Sequence, residues 1–364
     1  MADKQKNVFL TGITGFLGSF LAKELIQNGF KVFGLARSKG DKSAYQRAFD
    51  AIRFAYYDDE WDERKVADSL KIFEGDIVYK DLGLNDKDQD FLQSETDIII
   101  HSAALAELRS PWETIKRINV DGTKNVLDFA VECHEKGRLR KFNHISTMYV
   151  CGDYQGEFDE TMLDVRQNFN NTYEKSKFEA EKLVHEYMDK RLNCSIFRPS
   201  LIMGDSRSGK TNNFKLFYQP LRFFINEIYD EFPADKNCSQ NFINIDTVAK
   251  TLVALLSNIK TSIYHILSPN NISVGYFFHL AQGCFCFKSP RLIPLSDFPF
   301  YKFSYVQKEL ATPFIPYLNL HMNFIAEYSR VVFESYKLNF LEISDQNLLN
   351  IFSFYMEYGF LNRK

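Results

Sequence analysis

Short apolar runs alternate with helix-spaced apolar positions through the first two hundred residues of the chain. The runs are Asn7–Thr11, Lys31–Ala36, Leu70–Glu74, Asp97–His101, Phe142–Ser146 and Cys194–Arg198. Asp97–His101 (DIIIH) is the clearest, because a continuous β-branched centre predicts a strand covered on both faces. Between the runs, Phe20, Leu21, Leu25 and Ile26 recur at helical spacing, as do Ile115, Ile118, Val126, Leu127 and Ala130. Ala44–Tyr57 and Glu174–Lys190 also read as helices, and the charged stretch Asp58–Asp68 as a solvated excursion. Buried strands separated by helices predict an α/β fold with a doubly wound parallel sheet.

After Pro199 the rhythm changes. Ser206–Asn213 is loop-like, and Phe214–Glu231 is aromatic-rich and helical or mixed. Asn241–Ile245 then reads as a strand and Thr247–Leu256 as a helix. Prolines at 290, 294, 299, 313 and 316 punctuate the tail before helical patterns resume. The boundaries expected are residues 1–200 for the sheet domain, with 241–268 returning to it. Residues 201–364 are expected to form a smaller, mostly helical region that binds substrate.

A formal net charge of −3 over 364 residues, with no basic excess and no polybasic run, argues against nucleic-acid or anionic-membrane partners. The 35 phenylalanines and 19 tyrosines are weighted to the second half, where they line an apolar cleft or simply fill a core. Six cysteines (Cys133, Cys151, Cys194, Cys238, Cys284, Cys286) show no paired spacing. Cys284-Phe-Cys286 alternates like a strand and has no second pair to complete a zinc site, so no metal is expected. A polar start and the lack of any long apolar run predict no signal peptide and no transmembrane segment. A reduced, cytoplasmic protein fits these features.

Candidate chemistry begins at Asn7–Gly18, NVFLTGITGFLG. Strand, glycine turn (Gly12, Gly15, Gly18), then helix is the arrangement that binds a pyrophosphate, since the bare backbone and the helix N-terminus both face the ligand. The spacing is one residue wider at the first gap than G-x-G-x-x-G. At the end of the second strand, where an acid would hold a ribose 2′-hydroxyl, stand Arg37, Ser38 and Lys39. Two cations and a hydroxyl suit a 2′-phosphate, which points to NADPH.

Tyr173-Glu-Lys-Ser-Lys177 opens a helix, with Tyr173 and Lys177 four apart on one face. A nearby ammonium favours the phenolate, and Tyr173 can hand a proton to a carbonyl oxygen as hydride arrives. Upstream, His144-Ile-Ser146-Thr147 ends a strand with hydroxyls. Strand-end hydroxyl, then tyrosine and lysine on the next helix, is far more specific than Y-x-x-x-K alone.

In order along the chain stand TGITGFLG (11–18), GDI (75–77), HSAA (101–104), NVDGT (119–123), ISTMYV (145–150), YEKSK (173–177), FRPSLIMGDSRSG (197–209) and NFINIDTVAK (241–250). This series resembles the extended short-chain dehydrogenase/reductases, and its closest branch looks like the thioester reductases with a male-sterility-type NAD-binding domain. These include fatty acyl-CoA reductases and the terminal reductase domains of carboxylic acid reductases and peptide synthetases. The resemblance implies a doubly wound Rossmann sheet with a helical C-terminal region, and little matches beyond residue 290. It implies Thr147, Tyr173 and Lys177 as the catalytic residues. Gly12, Thr14, Gly15, Phe16, Leu17 and Gly18 would cradle the cofactor, and Asp76 and Ile77 would touch its adenine. Ala103 and Ala104 would meet its backbone, Asn119 would touch the active-site helix, and Ser146, Pro199 and Ser200 would lie by the cofactor, the last two beside its nicotinamide. NADPH would reduce an acyl thioester to an aldehyde, with an alcohol after a second hydride. A chain that begins at its own first strand would take its acyl group from coenzyme A or a separate carrier protein.

Three other readings compete. A nucleotide-sugar epimerase or dehydratase keeps NAD⁺, which the missing acid at the second strand disfavours. A non-catalytic NADPH-binding scaffold is disfavoured by the intact Thr147, Tyr173 and Lys177. Gly204–Thr211 (GDSRSGKT) matches the P-loop pattern, but the chain already has a phosphate turn at its first strand.

Overall fold

The computed structural model describes residues 6–57, 60–189, 192–215, 217–258 and 260–360. The chain opens with β1 (Asn7–Thr11), α1 (Phe16–Gln27), β2 (Lys31–Ala36), α2 (Ala44–Ala55), α3 (Glu63–Ser69) and β3 (Leu70–Glu74). It continues with α4 (Asp86–Glu95), β4 (Ile98–His101), α5 (Trp112–Lys116), a π turn over Arg117–Asp121 and α6 (Gly122–Glu135). Next come β5 (Lys141–Ile145), β6 (Glu157–Phe158), α7 (Thr172–Asp189) and β7 (Cys194–Pro199). Lys190, the expected end of the seventh helix, lies outside the described residues, as do Asp58 and Asp59.

Six of these strands and β12 (Ser262–Ile266) form one parallel sheet in the order β12-β7-β5-β4-β1-β2-β3. Alternation within the strands fills both faces. Val8 and Leu10 pack with α1, α2 and α9 (Ile245–Ala254), while Phe9 packs with α6 on the other side. The order reverses between β1 and β4, so a crevice opens there at the strands' C-terminal ends, where doubly wound sheets bind ligands.

Beyond β7 the elements are short: β8 (Leu201–Met203), α8 (Tyr218–Ile225), β9 (Glu231–Pro233), β10 (Ser239–Gln240) and β11 (Phe242–Asn244). The expected strand at 241–245 is thus β11, and it pairs with β8 rather than with the central sheet. After β12 come β13 (Ile272–Ser273), α10 (Val274–Phe285), β14 (Arg291–Ile293), α11 (Tyr305–Ala311), β15 (Asn323–Phe324), α12 (Glu327–Ser335) and α13 (Asp345–Phe354). These close a second, aromatic-rich core around Phe224, Phe277, Phe278 and Phe352.

Three local expectations are corrected. The charged stretch after residue 60 is largely helical: Asp62 caps α3 by accepting from Lys65 N at 3.0 Å, and Val66 anchors it. Cys284 and Cys286 do not lie on a strand. Residues 274–285 form α10, and Cys286 ends it in the left-handed conformation with φ 53°. Helix α4 has no counterpart in the sequence reading, because an apolar side made of Phe91 and Leu92 gives no periodic signal. All six cysteines are unpaired. Among the described residues no helix is long and apolar enough to cross a membrane.

Candidate active site

The glycine turn works by close approach. Gly12 has φ +75°, and a Cβ there would fall 2.6 Å from Ala103 N; at Gly18 it would fall 2.0 Å from Gly12 O. Gly15 N donates to Gly12 O at 2.8 Å, and Gly15 caps α1 with no side-chain bond. The first-turn amides of α1 are therefore free to bind an anion. Gly12, Thr14, Gly15, Phe16, Leu17 and Gly18 border one cleft with Ser102 and Ala104 from the loop after β4. Ala103 turns away, its amide donating to Thr11 Oγ1 at 3.3 Å. A bare, donor-rich turn beside a cleft at the sheet's reversal fits a dinucleotide.

At the β2 end, Arg37 is exposed and its guanidinium meets Asp76 at 3.0 Å. Arg47, on α2, donates to the Arg37 carbonyl, and Ser38 N donates to Glu74 at 3.3 Å. Carboxylates from the β3 end thus stand beside the cations, which the β2 sequence by itself does not disclose. Lys39 pairs through its backbone with Lys42, and neither Lys39 nor Arg37 borders the cleft. Ile77 is buried beneath Gly122, whose added Cβ would meet its Cδ1 at 2.8 Å.

Thr147, Tyr173 and Lys177 border the same cleft as the glycine turn, together with Ser146, Pro199 and Ser200. Thr147 starts a helical turn, accepting from Tyr149 N at 3.3 Å. Its own hydroxyl proton is left to point at a ligand. Asn171 caps α7 by accepting from Glu174 N at 3.0 Å, placing Tyr173 in the first turn and Lys177 one turn on. Lys177 Nζ donates to Ile145 O at 2.6 Å. Burial pulls Lys177 down to about 8, against Glu181, and burial followed by the Glu174 charge pushes Tyr173 up to about 12. Burial thus overrides the expected pull of the Lys177 ammonium toward the phenolate, and the phenol is held protonated, as a proton donor must be.

Beneath the site lies a buried polar network. Ser146 Oγ donates to Glu181, which is paired with Arg198, and both charged groups are fully buried. Burial by itself raises Glu181, but Arg198, His185 and Ser146 bring it down to about 2. Arg198 also meets His265 Nε2 at 3.0 Å. The Ser146 hydroxyl is thus committed to the protein, whereas Ser200 Oγ is buried with no partner among the described residues. Asn119 lies off the cleft in the π turn: its Oδ1 accepts from Leu105 N at 2.7 Å, and its Nδ2 donates to Leu105 O and Ser176 Oγ. It clamps the loop after β4 to α7.

Sequence reasoning missed Leu105, Ala106, Leu201, Ile202, Asn212, Asn213 and Lys215 on the cleft wall. The FRPSLIM run and the loop after GDSRSGKT were the available signals. That loop is no phosphate cradle. Asp205 accepts from Arg207 N at 3.1 Å and Ser208 N at 2.9 Å, and Asp246 from Ser206 N at 3.0 Å, so carboxylates already fill the place of an anion. Asn347 and Asn350 of α13 close it from above through Ser206 O and Arg207 O.

Tyr173 and Leu201 border a second cavity as well, whose wall is carbon almost throughout. Its residues include Phe217, Phe242, Val274, Phe277 and Phe314.

Residues 10–252 match the family model described as Male sterility protein. The L-2-aminoadipate reductase large subunit of Candida glabrata is 29% identical over 275 residues, 69% of this chain and 19% of that protein. The chain therefore spans about a fifth of the length of that relative. Among solved structures, the terminal R domain from the myxalamid PKS-NRPS pathway superposes with a TM-score of 0.83 at 23% identity, covering 99% of this chain and 93% of that one. A thiolation-reductase di-domain from an archaeal non-ribosomal peptide synthetase gives 0.78 at 23%, covering 98% and 76%. At these identities the likeness establishes the fold. With the family match over residues 10–252, the chain belongs to the male sterility protein family, within the extended short-chain dehydrogenase/reductases.

Proposed function

We propose that the protein uses NADPH to reduce an acyl thioester, carried on coenzyme A or a carrier protein, to an aldehyde. The observation that carries this reading is the convergence of Thr147, Tyr173 and Lys177 on the wall of a cleft floored by the glycine turn. Residues 1–200 with 241–268 would form the dinucleotide-binding unit, and 201–364 would supply the substrate side. The turn and the α1 amides hold the pyrophosphate, and Arg37 holds the 2′-phosphate after leaving Asp76.

A bound reduced nicotinamide supplies the hydride. Thr147 and Tyr173 donate to the carbonyl oxygen, and the charge that develops there is met by two hydroxyls already in place. Tyr173 passes its proton to that oxygen, and Lys177 lowers the cost of the phenolate left behind. The resulting hemithioacetal breaks its carbon–sulfur bond to give aldehyde and free thiol. Ala106 and Lys215 border both the cleft and a surface groove that continues past Arg109, giving the thiol arm a polar way out.

The test follows NADPH absorbance with acyl-CoA thioesters, acyl-carrier conjugates and the matching aldehydes. Thioester-dependent oxidation with aldehyde product is expected. Activity on aldehydes alone would make it a carbonyl reductase, and dinucleotide binding with no turnover would favour a non-catalytic member.

A further inference from the structure

The apolar cavity beside Tyr173 has a composition that selects among acyl groups. Among the described residues no aspartate, glutamate, lysine, arginine or histidine borders it. Its volume is about 70 Å³, room for several methylene-sized groups in a row. One wall is the face of α10, where Val274, Phe277 and Phe278 recur at helical spacing, and Phe217 and Phe242 pack edge-on and stacked against Phe277.

The polar side chains on the wall are already committed to the protein. Gln240 Nε2 donates to Tyr317 O at 2.7 Å, and its Oε1 accepts from Tyr149 OH at 3.0 Å. The Tyr317 hydroxyl donates to Glu174 and accepts from Asn171 Nδ2 at 2.6 Å. Glu174 is buried behind Tyr317 and takes two further bonds from Asn170. That leaves Tyr173 as the one wall tyrosine whose hydroxyl has no hydrogen-bond partner among the described residues.

We infer that this cavity is the acyl-chain site, that it accepts uncharged apolar chains, and that it rejects chains ending in a carboxylate or an ammonium. The inference rests on the thioester reading above. With the thioester carbonyl at Tyr173, the chain runs past Leu201 into the cavity, where each methylene leaves water for carbon. A terminal charge would be stripped of water with no partner to replace it. Val274 is the smallest side chain that α10 presents to the cavity, so added bulk there would shorten the room for the chain.

The test measures kcat/KM on the full chain with NADPH and coenzyme A thioesters of matched length. Butyryl to octanoyl is expected to gain about fourfold per methylene. Octanedioyl-CoA should fall about 100-fold below octanoyl-CoA. Val274→Phe should lower kcat/KM for octanoyl-CoA by more than about tenfold while leaving dinucleotide affinity unchanged. A binding arm needs no turnover: calorimetry with octanamide and 8-aminooctanamide on the NADP⁺-loaded protein should show heat with the first alone, lost in Val274→Phe. Equal handling of octanoyl and octanedioyl thioesters, or equal binding of the two amides, would overturn the inference. If no thioester is reduced but octanamide binding is sensitive to Val274→Phe, the reductase reading falls and the apolar site stands.

Discussion

Tyr173 faces the dinucleotide cleft on one side and an apolar cavity on the other, with a phenol held at about 12 by burial and by Glu174. Tyr173→Phe keeps the ring and removes the proton. It is expected to lower kcat by about 10²- to 10⁴-fold and leave NADPH affinity within about twofold, measured by turnover and by dinucleotide titration. Arg37 is an exposed cation paired with Asp76, and in the proposed reading it turns to the 2′-phosphate instead. Arg37→Ala is therefore expected to weaken NADPH about tenfold and NADH hardly at all, and equal losses in the two Kd values would remove its role. The placement of individual residues on the cleft wall was legible where a motif fixes it, as with Thr147, Tyr173, Lys177 and the three glycines. Residues whose role comes from tertiary partners were not. Ser146 looks like Thr147 in sequence, yet its hydroxyl belongs to Glu181, a residue 35 positions away. Arg47 reaches the Arg37 carbonyl from α2, and no spacing in the chain announces it.

At the scale of elements, the β1–α1 turn and the β5–α7–β7 layer carry opposite kinds of constraint. The turn is a matter of space: Gly18→Ala would put a methyl 2.0 Å from Gly12 O, whereas Gly283, inside α10, has nothing within 4 Å. Thermal unfolding should show Gly18→Ala losing dinucleotide binding together with stability. Gly283→Ala should gain about 0.5–1 kcal/mol from helix propensity. The layer is a matter of charge. Glu181→Gln strands a fully buried Arg198 and is expected to cost about 3–5 kcal/mol in denaturant titration. Glu181 is depressed from 4.5 to about 2, so the stability its ionised form contributes is complete above pH 4.5 and drains away as pH falls toward 2. Glu181→Gln should flatten the acid limb across that window. The central strands were readable from their apolar runs, since burial on both faces leaves an unbroken signature. Helix α4 and the strand β12 were not, because each is specified by what packs on it rather than by its own period.

The core under the central sheet and the aromatic-rich second core share elements. Strand β12 completes the central sheet after the chain has already made β8, α8 and β11, and Phe333 of α12 packs into the first core. The stretch beyond residue 290, which resembled nothing recognisable, supplies Phe314 and Tyr317 to the apolar cavity and Phe352 to the second core. Its role was illegible because short helices joined by proline turns carry no extended periodicity, and their contacts are all long-range. Ending the chain at residue 290 would strip Phe352 from Phe277 and Phe314 from Phe223, opening the second core. Gel filtration of that truncation should show aggregate in place of a single discrete species, since so large an apolar patch does not stay exposed.

The π turn at Arg117–Asp121 makes chain length itself a constraint at one point in the molecule. Such a turn is a helix carrying one surplus residue, and a helix rotates about 100° per residue. Removing any single residue there would restore regular winding and swing Asn119 off Leu105 and Ser176, unlatching the loop that faces the cleft from the helix that carries Tyr173. The exposed side chains of the turn are free to vary in kind, but the number of residues between Trp112 and Glu135 is not free to vary by one.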